Sequence, residues 1–529
     1  MMDQLFLGID SSTQGCKVIV IDTTSGSVDY TDFINYDQDL PQFGTRHGIV
    51  PSEKAEIAEA PPQMWIEAIN LLFSRMSQKE YPIQKIKAVS VSGQQHGLVA
   101  LDEKGNLTRL TSKLWNDTST YEECDILTKE LGGREEMIRE IGNSQRPGYT
   151  AGKIFHIHRN EPELAKKTKT FFLVHNYINW YLTGGIKLME PGDVSGMALS
   201  FPGSQKWSEK ICRIISPDLK KKLPPVKPSD QMIGKIAPQL RELYGFSTDC
   251  YVDAGSGDNM YGAIGTGNIA PGMVTISLGT SGTAYSIFEE PYVDPKGEIA
   301  LFCDSTGKYL SLLCVSNMAN GYNDLLEENK LTHQTFEEIL KQTPPGNQGK
   351  ILFPWFTSER TPDLPCASPI YWGFSLQDFT TPVLCRAVLE GHILNLFDGF
   401  NRMPIQTTEI RLTGGLSKSE AWCETIANIF NAETVPVEGE GAALGAAIHA
   451  AWVYFKSVKP IVPLNELINQ FVHLNENRRK IPKNVEIYHP IKKAYSEIRA
   501  RILPATATVD PFKMMSQITL NLPETIPSK

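Results

Sequence analysis

A strand–turn–strand layout occurs twice in this chain, and this repeat limits the folds open to it more than any other feature of the sequence. The first copy covers residues 5–21, where two apolar runs flank a turn of small and hydroxyl residues at 11–15. The second copy covers residues 274–288 and has its turn at 279–283. Apolar runs on both sides of a Gly/Ser/Thr turn predict a β-hairpin. Two such hairpins, one opening each half of the chain, indicate two related domains.

Elsewhere helical and strand patterns alternate, which predicts an α/β fold. Apolar residues from Trp65 to Met76 recur with helical spacing, so we expect an amphipathic helix over 64–76. The β-rich run at 86–91 predicts a strand. A small-residue segment at 439–447 predicts a helix that packs closely in a core, since it is too short to span a membrane.

The predicted domain boundary lies near residue 250. A length of 529 residues allows two large domains or three smaller ones. A Lys- and Pro-rich stretch at 220–228 is typical of a loop and precedes the boundary. We therefore expect an N-terminal domain at 1–250 and a C-terminal domain at 251–529. The final segment, about 456–529, is expected to be a surface extension that can pack back on the first domain.

Charge and cysteine content narrow the class of protein. A formal net charge of −9 gives no reason to expect nucleic acid as the main partner, because phosphate-backbone binding needs a concentrated basic surface. The sequence contains no run of 18 consecutive apolar residues, so it predicts no membrane span. The first residues lack the pattern of a secretory signal. Nine dispersed cysteines without a C-x-x-C spacing are typical of reduced thiols, so we expect a cytoplasmic protein without a structural zinc site.

The first hairpin turn has the composition of a phosphate-binding turn. Asp10 ends the first apolar run, hydroxyl residues and a glycine follow, and Lys17 adds a positive charge. Oriented backbone amides and hydroxyls can hold phosphate oxygens, and Asp10 can hold Mg2+, which favours one or two carboxylates with phosphate oxygens and water. An ordinary polar hairpin is the alternative. The second turn favours the phosphate interpretation, because two such turns could hold one nucleotide.

The segment at 253–259 predicts a catalytic carboxylate. Small residues let the backbone approach a ligand and place Asp258 and Asn259 at the end of a strand. A carboxylate there can accept the proton of a hydroxyl that attacks a γ-phosphate. A glycine-rich loop with a helix-capping aspartate is an equal alternative for this segment alone.

Two further motifs suit a polyhydroxylated ligand and a nucleotide. Gln95 and His96 lie between glycines, and Trp115 begins a Trp-Asn-Asp tripeptide typical of sugar sites. A short strand at 410–412 precedes two glycines and a helix expected to begin near Ser417, a layout that can accommodate a nucleotide. The His-x-His pair at 156–158 has no acidic or thiol partner nearby in sequence and is interpreted as structural.

Taken together and in order, these motifs resemble the FGGY carbohydrate kinases over about residues 5–455. The motifs that carry the resemblance are residues 10–15 with Lys17, 93–97, 115–117, 257–259, 277–282, 358–362, 413–415 and 443–447. The resemblance implies two actin-like, ribonuclease H-like domains of the actin/hexokinase/Hsp70 type, with the active site in the cleft between them. It also implies that the first domain binds the sugar and the second binds ATP.

The resemblance assigns a role to each matching residue. Asp258 is expected to be the catalytic base, and Asp10 to support Mg2+. The residues expected to bind the sugar are Gln95, His96, Asn259, Trp115 and Arg146. The residues expected to bind ATP are Thr13, Lys17, Gly279, Thr280, Ser281, Gly414, Gly415, Leu416 and Ser419. One departure is Ser12, which stands where the family often has glycine and leaves the phosphate geometry of that turn open.

The implied reaction is ATP-dependent phosphorylation of a ketose. The Gln95–His96 pair favours D-xylulose, giving D-xylulose 5-phosphate, over glycerol. Alternatives within the family are kinases for ribulose, gluconate or glycerol. Outside it, the alternatives are a sugar-sensing protein without catalysis and an actin-like ATPase that assembles. The expected partners are a small sugar and ATP with Mg2+, in the cytoplasm, and a homodimer is compatible with the resemblance.

Overall fold

The computed structural model describes residues 4–439, 441–458, 461–503 and 510–515. The chain divides into two compact units, each assembled from separate stretches. The first unit takes its residues from 1–270, 287–311 and 438–473, and the second from 271–286, 312–437 and 474–529. This division differs from the predicted boundary at residue 250, because residues 251–265 still contribute strands and a helix to the first unit.

The secondary structure alternates between strands and helices, as the α/β pattern predicts. In chain order the strands are β1 (Leu5–Ser11), β2 (Gly15–Asp22), β3 (Ser27–Asn35), β4 (Glu59–Ala60), β5 (Ile86–Gly93), β6 (Val99–Leu101), β7 (Ser112–Lys113), β8 (Thr170–Phe172), β9 (Met232–Lys235), β10 (Tyr251–Asp253), β11 (Ser256–Gly257), β12 (Met273–Leu278), β13 (Gly282–Phe288), β14 (Ala300–Cys303), β15 (Tyr309–Val315), β16 (Ile351–Phe353), β17 (Ile370–Trp372), β18 (Glu409–Thr413), β19 (Glu433–Glu438) and β20 (His473–Leu474).

The helices lie between these strands. They are α1 (Tyr36–Asp39), α2 (Pro62–Gln78), α3 (Tyr121–Leu131), α4 (Arg134–Ile141), α5 (Thr150–Asn160), α6 (Pro162–Lys167), α7 (Val174–Thr183), α8 (Pro191–Val194), α9 (Glu209–Ile215), α10 (Pro238–Tyr244), α11 (Asp258–Gly265), α12 (Asn320–Glu328), α13 (His333–Gln342), α14 (Thr381–Phe400), α15 (Glu420–Phe430), α16 (Gly441–Ser457), α17 (Leu464–Phe471) and α18 (Val485–Ile502).

The first unit is built on a sheet in the order β3-β2-β1-β5-β10-β9, with β11 also paired to β5. β1 and β2 form the predicted antiparallel hairpin, whereas β5 runs parallel to β1 and places Ser92 opposite Asp10. β11 runs parallel to β5 and places Gly257 opposite Gly93. The carboxyl ends of β1, β5 and β11 therefore meet at one edge, which is where open α/β sheets bind ligands.

Helices cover this sheet because their apolar faces match it. The predicted amphipathic helix is α2, whose buried residues include Trp65, Leu72 and Phe73 and belong to the core of the first unit. Proline at the start of α2 suits a helix N-terminus, where its missing N–H costs no hydrogen bond.

Helix α16 packs in the first unit although it lies late in the sequence. Its small residues permit close approach: a methyl group added to Gly8 of β1 would overlap the backbone of Ala443 and Ala447. A methyl group on Gly445 would likewise overlap the backbone of Tyr261 in α11. The predicted close-packing helix is therefore confirmed, and it seats α11, which begins with Asp258, against the rest of the unit.

The second sheet repeats the hairpin of the first. Its strand order is β14-β15-β13-β12-β18-β19-β20. β12 and β13 are antiparallel, as predicted, and β18 runs parallel to β12 with Thr413 opposite Ser277. The turn after β12 and the glycines after β18 thus lie at the same edge of this sheet.

The described part of the predicted extension contains α17, which belongs to the first unit, and α18, which belongs to the second and has two buried residues. Tyr488 and Tyr495 of α18 are both buried in the second unit. The Tyr488 hydroxyl donates to Glu390 Oε1 at 2.7 Å, and the Tyr495 hydroxyl donates to Asn395 Oδ1 at 3.3 Å. Residues 516–529, also part of the predicted extension, lie outside the described residues.

All nine cysteines are free thiols and seven are buried, which confirms the prediction of reduced, mostly buried cysteines. Among the described residues, no helix combines the length and apolar character needed to cross a membrane.

Candidate active site

Asp10 lies in β1 one position before the strand ends at Ser11, at the carboxyl edge of the first sheet. Its Oδ1 accepts a hydrogen bond from Ser92 Oγ at 2.6 Å, and Lys17 is its cross-strand neighbour on β2. Burial raises the pKa of Asp10 to about 6, while the Ser92 bond and the Lys17 charge oppose this rise. The carboxylate is therefore ionised at neutral pH and can hold a cation.

Asp258 is the first residue of α11 and remains partly exposed. Its Oδ1 accepts from Asn259 N at 2.9 Å and from Asn259 Nδ2 at 3.1 Å. Desolvation raises the pKa of Asp258 to about 8, and the charges of Asp10 and Asp193 add to this rise. A carboxylate with so high a pKa is a strong proton acceptor, which is what a general base requires.

Gln95 links the glycine-flanked motif to the start of α11. Its Oε1 accepts from Asn259 Nδ2 at 2.8 Å. The side chain is only 4% exposed, and its Nε2 has no hydrogen-bond partner among the described residues. A buried amide donor without a hydrogen-bond partner gains one when a ligand brings an acceptor such as a hydroxyl oxygen. His96 follows, and its ring packs edge-to-face on Tyr149 with 4.9 Å between centroids.

Side chains close the first hairpin turn. Ser12 Oγ donates to Gly15 O at 2.9 Å, so the hydroxyl that replaces the expected glycine is bonded within the turn. Thr13 Oγ1 donates to Gln94 Oε1 at 3.1 Å and accepts from Trp115 Nε1 at 3.0 Å. Trp115, predicted to contact sugar, and Thr13, predicted to contact phosphate, are thus bonded to each other.

Arg146, the last residue predicted to contact sugar, is bonded within the first unit. Its Nη2 donates to Gly297 O at 2.5 Å and its Nε to Ser144 Oγ at 3.3 Å. In the segment that follows Arg146, Tyr149 packs on the His96 ring and Thr150 donates to the His96 backbone oxygen. In the His-x-His pair, interpreted as structural, His156 Nδ1 lies 3.3 Å from Glu123 Oε1.

In the second unit, backbone groups hold the turn between β12 and β13. Met318 N donates to Thr280 O at 3.1 Å, and Ala319 N donates to Gly279 O at 3.2 Å. A methyl group on Gly282 would lie 2.5 Å from Met318 Cε, so the Met318 side chain would have to move to admit it. Thr280 is exposed and Ser281 is partly exposed, which leaves both available to a ligand.

Glu359, from the motif at 358–362, supports the segment that holds this turn. Its buried carboxylate accepts from Ser316 N at 2.5 Å, from Asn317 Nδ2 at 3.1 Å and from Arg360 N at 2.7 Å. Burial raises the pKa of Glu359, and these hydrogen bonds oppose the rise. Ser316 and Asn317 directly precede Met318, so Glu359 fixes the donors of the turn.

The glycines after β18 lie beside the same turn. Gly414 has φ +85°, and a Cβ there would lie 2.6 Å from Leu278 O, so this position requires glycine. Gly415 is exposed, and no atom of the described residues lies within 4 Å of a Cβ built there. Its exposed backbone can therefore meet a flat ligand such as a nucleobase.

The helix after these glycines begins later than predicted. A short 3-10 turn covers Gly415–Lys418, and α15 starts at Glu420 with Ser419 as its N-cap. Ser419 Oγ accepts from Trp422 N at 3.3 Å and also bonds Glu337. Leu416, which is also predicted to bind ATP, is buried, so its side chain serves packing.

Sequence reasoning missed a buried acidic layer behind Asp258. Glu190 accepts from Ser256 Oγ at 3.0 Å and from Ser229 Oγ at 2.5 Å, and Ser256 lies two residues before Asp258. Asp193 Oδ2 lies 2.8 Å from His175 Nδ1, and both side chains are fully buried. The segment at 190–193 has the composition of a plain loop, and only the fold brings it beneath β11.

The described residues contain no group of three or more His, Cys, Asp or Glu side chains able to hold a metal ion. The residues fit Mg2+ through a single hard carboxylate, Asp10, because this ion takes its other ligands from phosphate oxygens and water.

Each of the two sheets pairs a hairpin with a parallel strand. The first sheet has carboxylates at its edge and the second has glycines, and together these features define a phosphotransferase. Residues 5–265 match the N-terminal domain of the FGGY family of carbohydrate kinases, and residues 274–454 match its C-terminal domain. The chain belongs to this family and is an ATP-dependent sugar kinase, as the sequence predicted.

Individual relatives agree with this assignment. A xylulose kinase from Haemophilus influenzae is 34% identical over 489 residues, covering 90% of this chain and 95% of that protein. Crystal structures of a xylulose kinase and a gluconate kinase from Lactobacillus acidophilus each superpose with a TM-score of 0.84, at 22% and 23% identity. Each covers 95% of this chain and 99% of its own, which confirms the two-domain kinase fold.

Proposed function

We propose that this kinase transfers the γ-phosphoryl group of ATP to D-xylulose and forms D-xylulose 5-phosphate. The observation that carries the proposal is Asp258, a partly exposed carboxylate whose pKa is raised to about 8 and whose neighbours Gln95 and Asn259 are hydrogen-bonded to each other. The 34% identity with a xylulose kinase supports the choice of sugar.

The first unit supplies the sugar-binding groups and the base. The free Nε2 donor of Gln95, with His96 and Asn259, orients the ketose so that its terminal hydroxyl meets Asp258. Asp258 accepts the hydroxyl proton as the oxygen bonds to the γ-phosphorus and the bond to ADP breaks. A general base of this kind contributes roughly 10²–10⁴-fold to the rate.

The second unit supplies the nucleotide-binding groups. The turn at Gly279–Ser281 presents backbone amides and exposed hydroxyls to phosphate oxygens, and the exposed backbone of Gly414 and Gly415 accommodates adenosine. Asp10, with Lys17 beside it, would hold Mg2+, which neutralises phosphate charge when bound. Phosphoryl transfer depends mainly on such positioning and electrostatics.

A panel of sugars with coupled detection of ADP tests this proposal. The purified kinase is assayed with D-xylulose, D-ribulose, gluconate and glycerol, and we expect kcat/KM to be highest for D-xylulose by at least about tenfold. The Asp258→Asn protein serves as the background control. Equal or higher kcat/KM with another sugar would replace D-xylulose as the substrate without changing the enzyme class.

The second candidate is a gluconate kinase. It is favoured by the gluconate kinase from Lactobacillus acidophilus, whose fold matches this chain as well as that of the xylulose kinase from the same organism. An open-chain acid would need a cation for its carboxylate, and Arg146 is already bonded to Gly297 and Ser144, so we rank it second. A cytoplasmic location and a homodimer stay predictions.

A further inference from the structure

Lys153 in α5 has a fully buried side chain that the proposed reaction does not use. Its exposed fraction is 0%, which is rare for lysine unless the ammonium has a partner. Its Nζ donates to the backbone oxygen of His96 at 2.7 Å, and Thr150 Oγ1 donates to the same oxygen at 3.3 Å. Two side chains from the first turn of one helix thus converge on one carbonyl of the sugar-binding motif.

That carbonyl belongs to a residue in an unfavourable backbone conformation. His96 has φ +68°, in the left-handed region that non-glycine residues seldom occupy. Such a conformation persists only where the surroundings fix it, and it concentrates at ligand sites. Here the surroundings are the two donors and the ring of Tyr149, which packs on the His96 imidazole.

The conformation of His96 decides where its neighbours point. Gln95 directly precedes it and accepts from Asn259 at 2.8 Å, so a rotation of the backbone at residue 96 would displace both the imidazole and the free Gln95 donor. We propose that Lys153 is a positioning residue, which holds His96 in the left-handed conformation and so sets the affinity for the sugar. The proposal rests on the proposed function, in which His96 contacts the ketose.

The charges around Lys153 indicate that the site tolerates an apolar replacement. Asp117 and Asp193 attract the ammonium and Lys113 opposes it, and burial lowers the pKa of Lys153 to about 7. Asp117 keeps other partners, Lys113 Nζ at 3.4 Å and the Ala58 amide at 3.0 Å. Replacing Lys153 by methionine therefore leaves no buried carboxylate dependent on it alone, and we expect the variant to fold.

The test compares Lys153→Met, His96→Ala and the double variant in steady-state kinetics. Loss of one hydrogen bond from a buried amine to the carbonyl predicts a KM for D-xylulose raised about tenfold. The KM for ATP should stay within about twofold. If Lys153 acts through residue 96, the sugar KM of the double variant should be lower than the product of the two single effects predicts, because coupled residues are not additive.

Lys222→Met is the matched control. Lys222 is also a buried lysine of the first unit, and its Nζ donates to a backbone oxygen, Ala165 O at 3.0 Å, that belongs to no predicted sugar contact. We expect this substitution to lower the melting temperature while the sugar KM stays unchanged. An equal rise of the sugar KM in Lys222→Met and Lys153→Met would mean a general effect of instability and would overturn the proposal.

The outcomes separate the two hypotheses. An unchanged sugar KM in His96→Ala would refute the sugar contact and hence the proposed function. A raised KM in His96→Ala with an unchanged KM in Lys153→Met would refute the positioning role alone, as would additive effects in the double variant. If Lys153→Met does not fold, Thr150→Val removes the weaker donor, and an unchanged sugar KM in that variant would overturn the proposal.

Discussion

The ligand edges of the two sheets share a backbone layout and differ in the groups that line them. In each, a hairpin strand runs parallel to a later strand, β1 with β5 and β12 with β18. The first edge carries ionisable side chains, Asp10 and Asp258, whereas the second is lined by glycines and backbone amides. Strand pairing fixes where the two edges form, and in the proposed function the residues after each strand decide whether an edge does acid–base chemistry or binds phosphate.

The largest effect is expected from a substitution that removes the general base of the first edge and leaves the second edge unchanged. Asp258→Asn keeps the size of the side chain and removes the base, so kcat should fall by about 10³-fold. The KM for ATP should change little, because Asp258 is not among the residues proposed to bind the nucleotide. Steady-state kinetics with both substrates measure this split, and near-normal turnover would refute the role of Asp258.

Thermal unfolding of the same variant provides the control for folding. The folded protein holds the proton of Asp258 more tightly than the unfolded chain, since the pKa rises from 3.8 to about 8. Ionising this group therefore costs stability as the pH rises through that range. Asparagine removes the cost, so the melting temperature at pH 8 should rise by a few degrees while activity is lost.

A second prediction uses the interaction between the two carboxylates. Because the base must be ionised, kcat/KM of the wild-type kinase should fall as the pH drops below about 8. Asp10→Asn removes one charge that raises the pKa of Asp258. The acid limb of the pH profile, in which kcat/KM falls as the pH drops, should therefore move to lower pH. The variant should also need more Mg2+ for half-maximal rate. A limb that stays in place would show that Asp10 does not act on Asp258.

A smaller effect is expected at the second edge. Glu359→Gln weakens the carboxylate that holds Ser316 and Asn317, and these precede the donors to Gly279 and Thr280. We expect the KM for ATP to rise about fivefold, with the sugar KM unchanged. Glu390→Gln is the matched control, since Glu390 is also buried in the second unit but bonds Gly346 and Tyr488. Equal effects of the two substitutions on the KM for ATP would remove the special role of Glu359.

The smallest expected effect tests the one departure from the family pattern. Ser12→Gly removes the bond from Ser12 Oγ to Gly15 O, but the backbone bond from Ser12 N to Gly15 O at 3.0 Å remains. We expect kcat/KM to change by less than about twofold and stability to fall by about 0.5–1 kcal/mol. Calorimetry and kinetics measure both quantities. A tenfold change in the KM for ATP would mean that the hydroxyl itself contacts phosphate.

The sequence predicts the parts of this fold that local pattern determines. The two hairpins and α2 follow from apolar periodicity, and Asp10 and Asp258 follow from carboxylates placed after strands. The two compact units differ from a single division at residue 250 because the first unit takes up α11 and, much later in the chain, α16. Pairing between distant segments leaves no local signal in one sequence.

The residues behind the site were the hardest to predict. Glu190, Asp193 and Lys153 are charged residues that the fold buries, whereas such residue types are almost always exposed. Nothing in their neighbours signals burial: α5 has an ordinary mixed composition, and the Glu-Pro-Gly-Asp segment is typical of a turn. Their function depends on tertiary contacts with Ser256 and His96, which only the three-dimensional arrangement supplies.

The late position of α16 has a consequence for biosynthesis. The first unit lacks the helix that packs on Gly8 and α11 until residues beyond 441 have been made. Translation at about 5–20 residues per second separates the end of α11 from the start of α16 by roughly 10–35 s. During that interval the nascent chain exposes the apolar surface of β1 and α11, so ribosome-associated chaperones should protect this surface until α16 has been made.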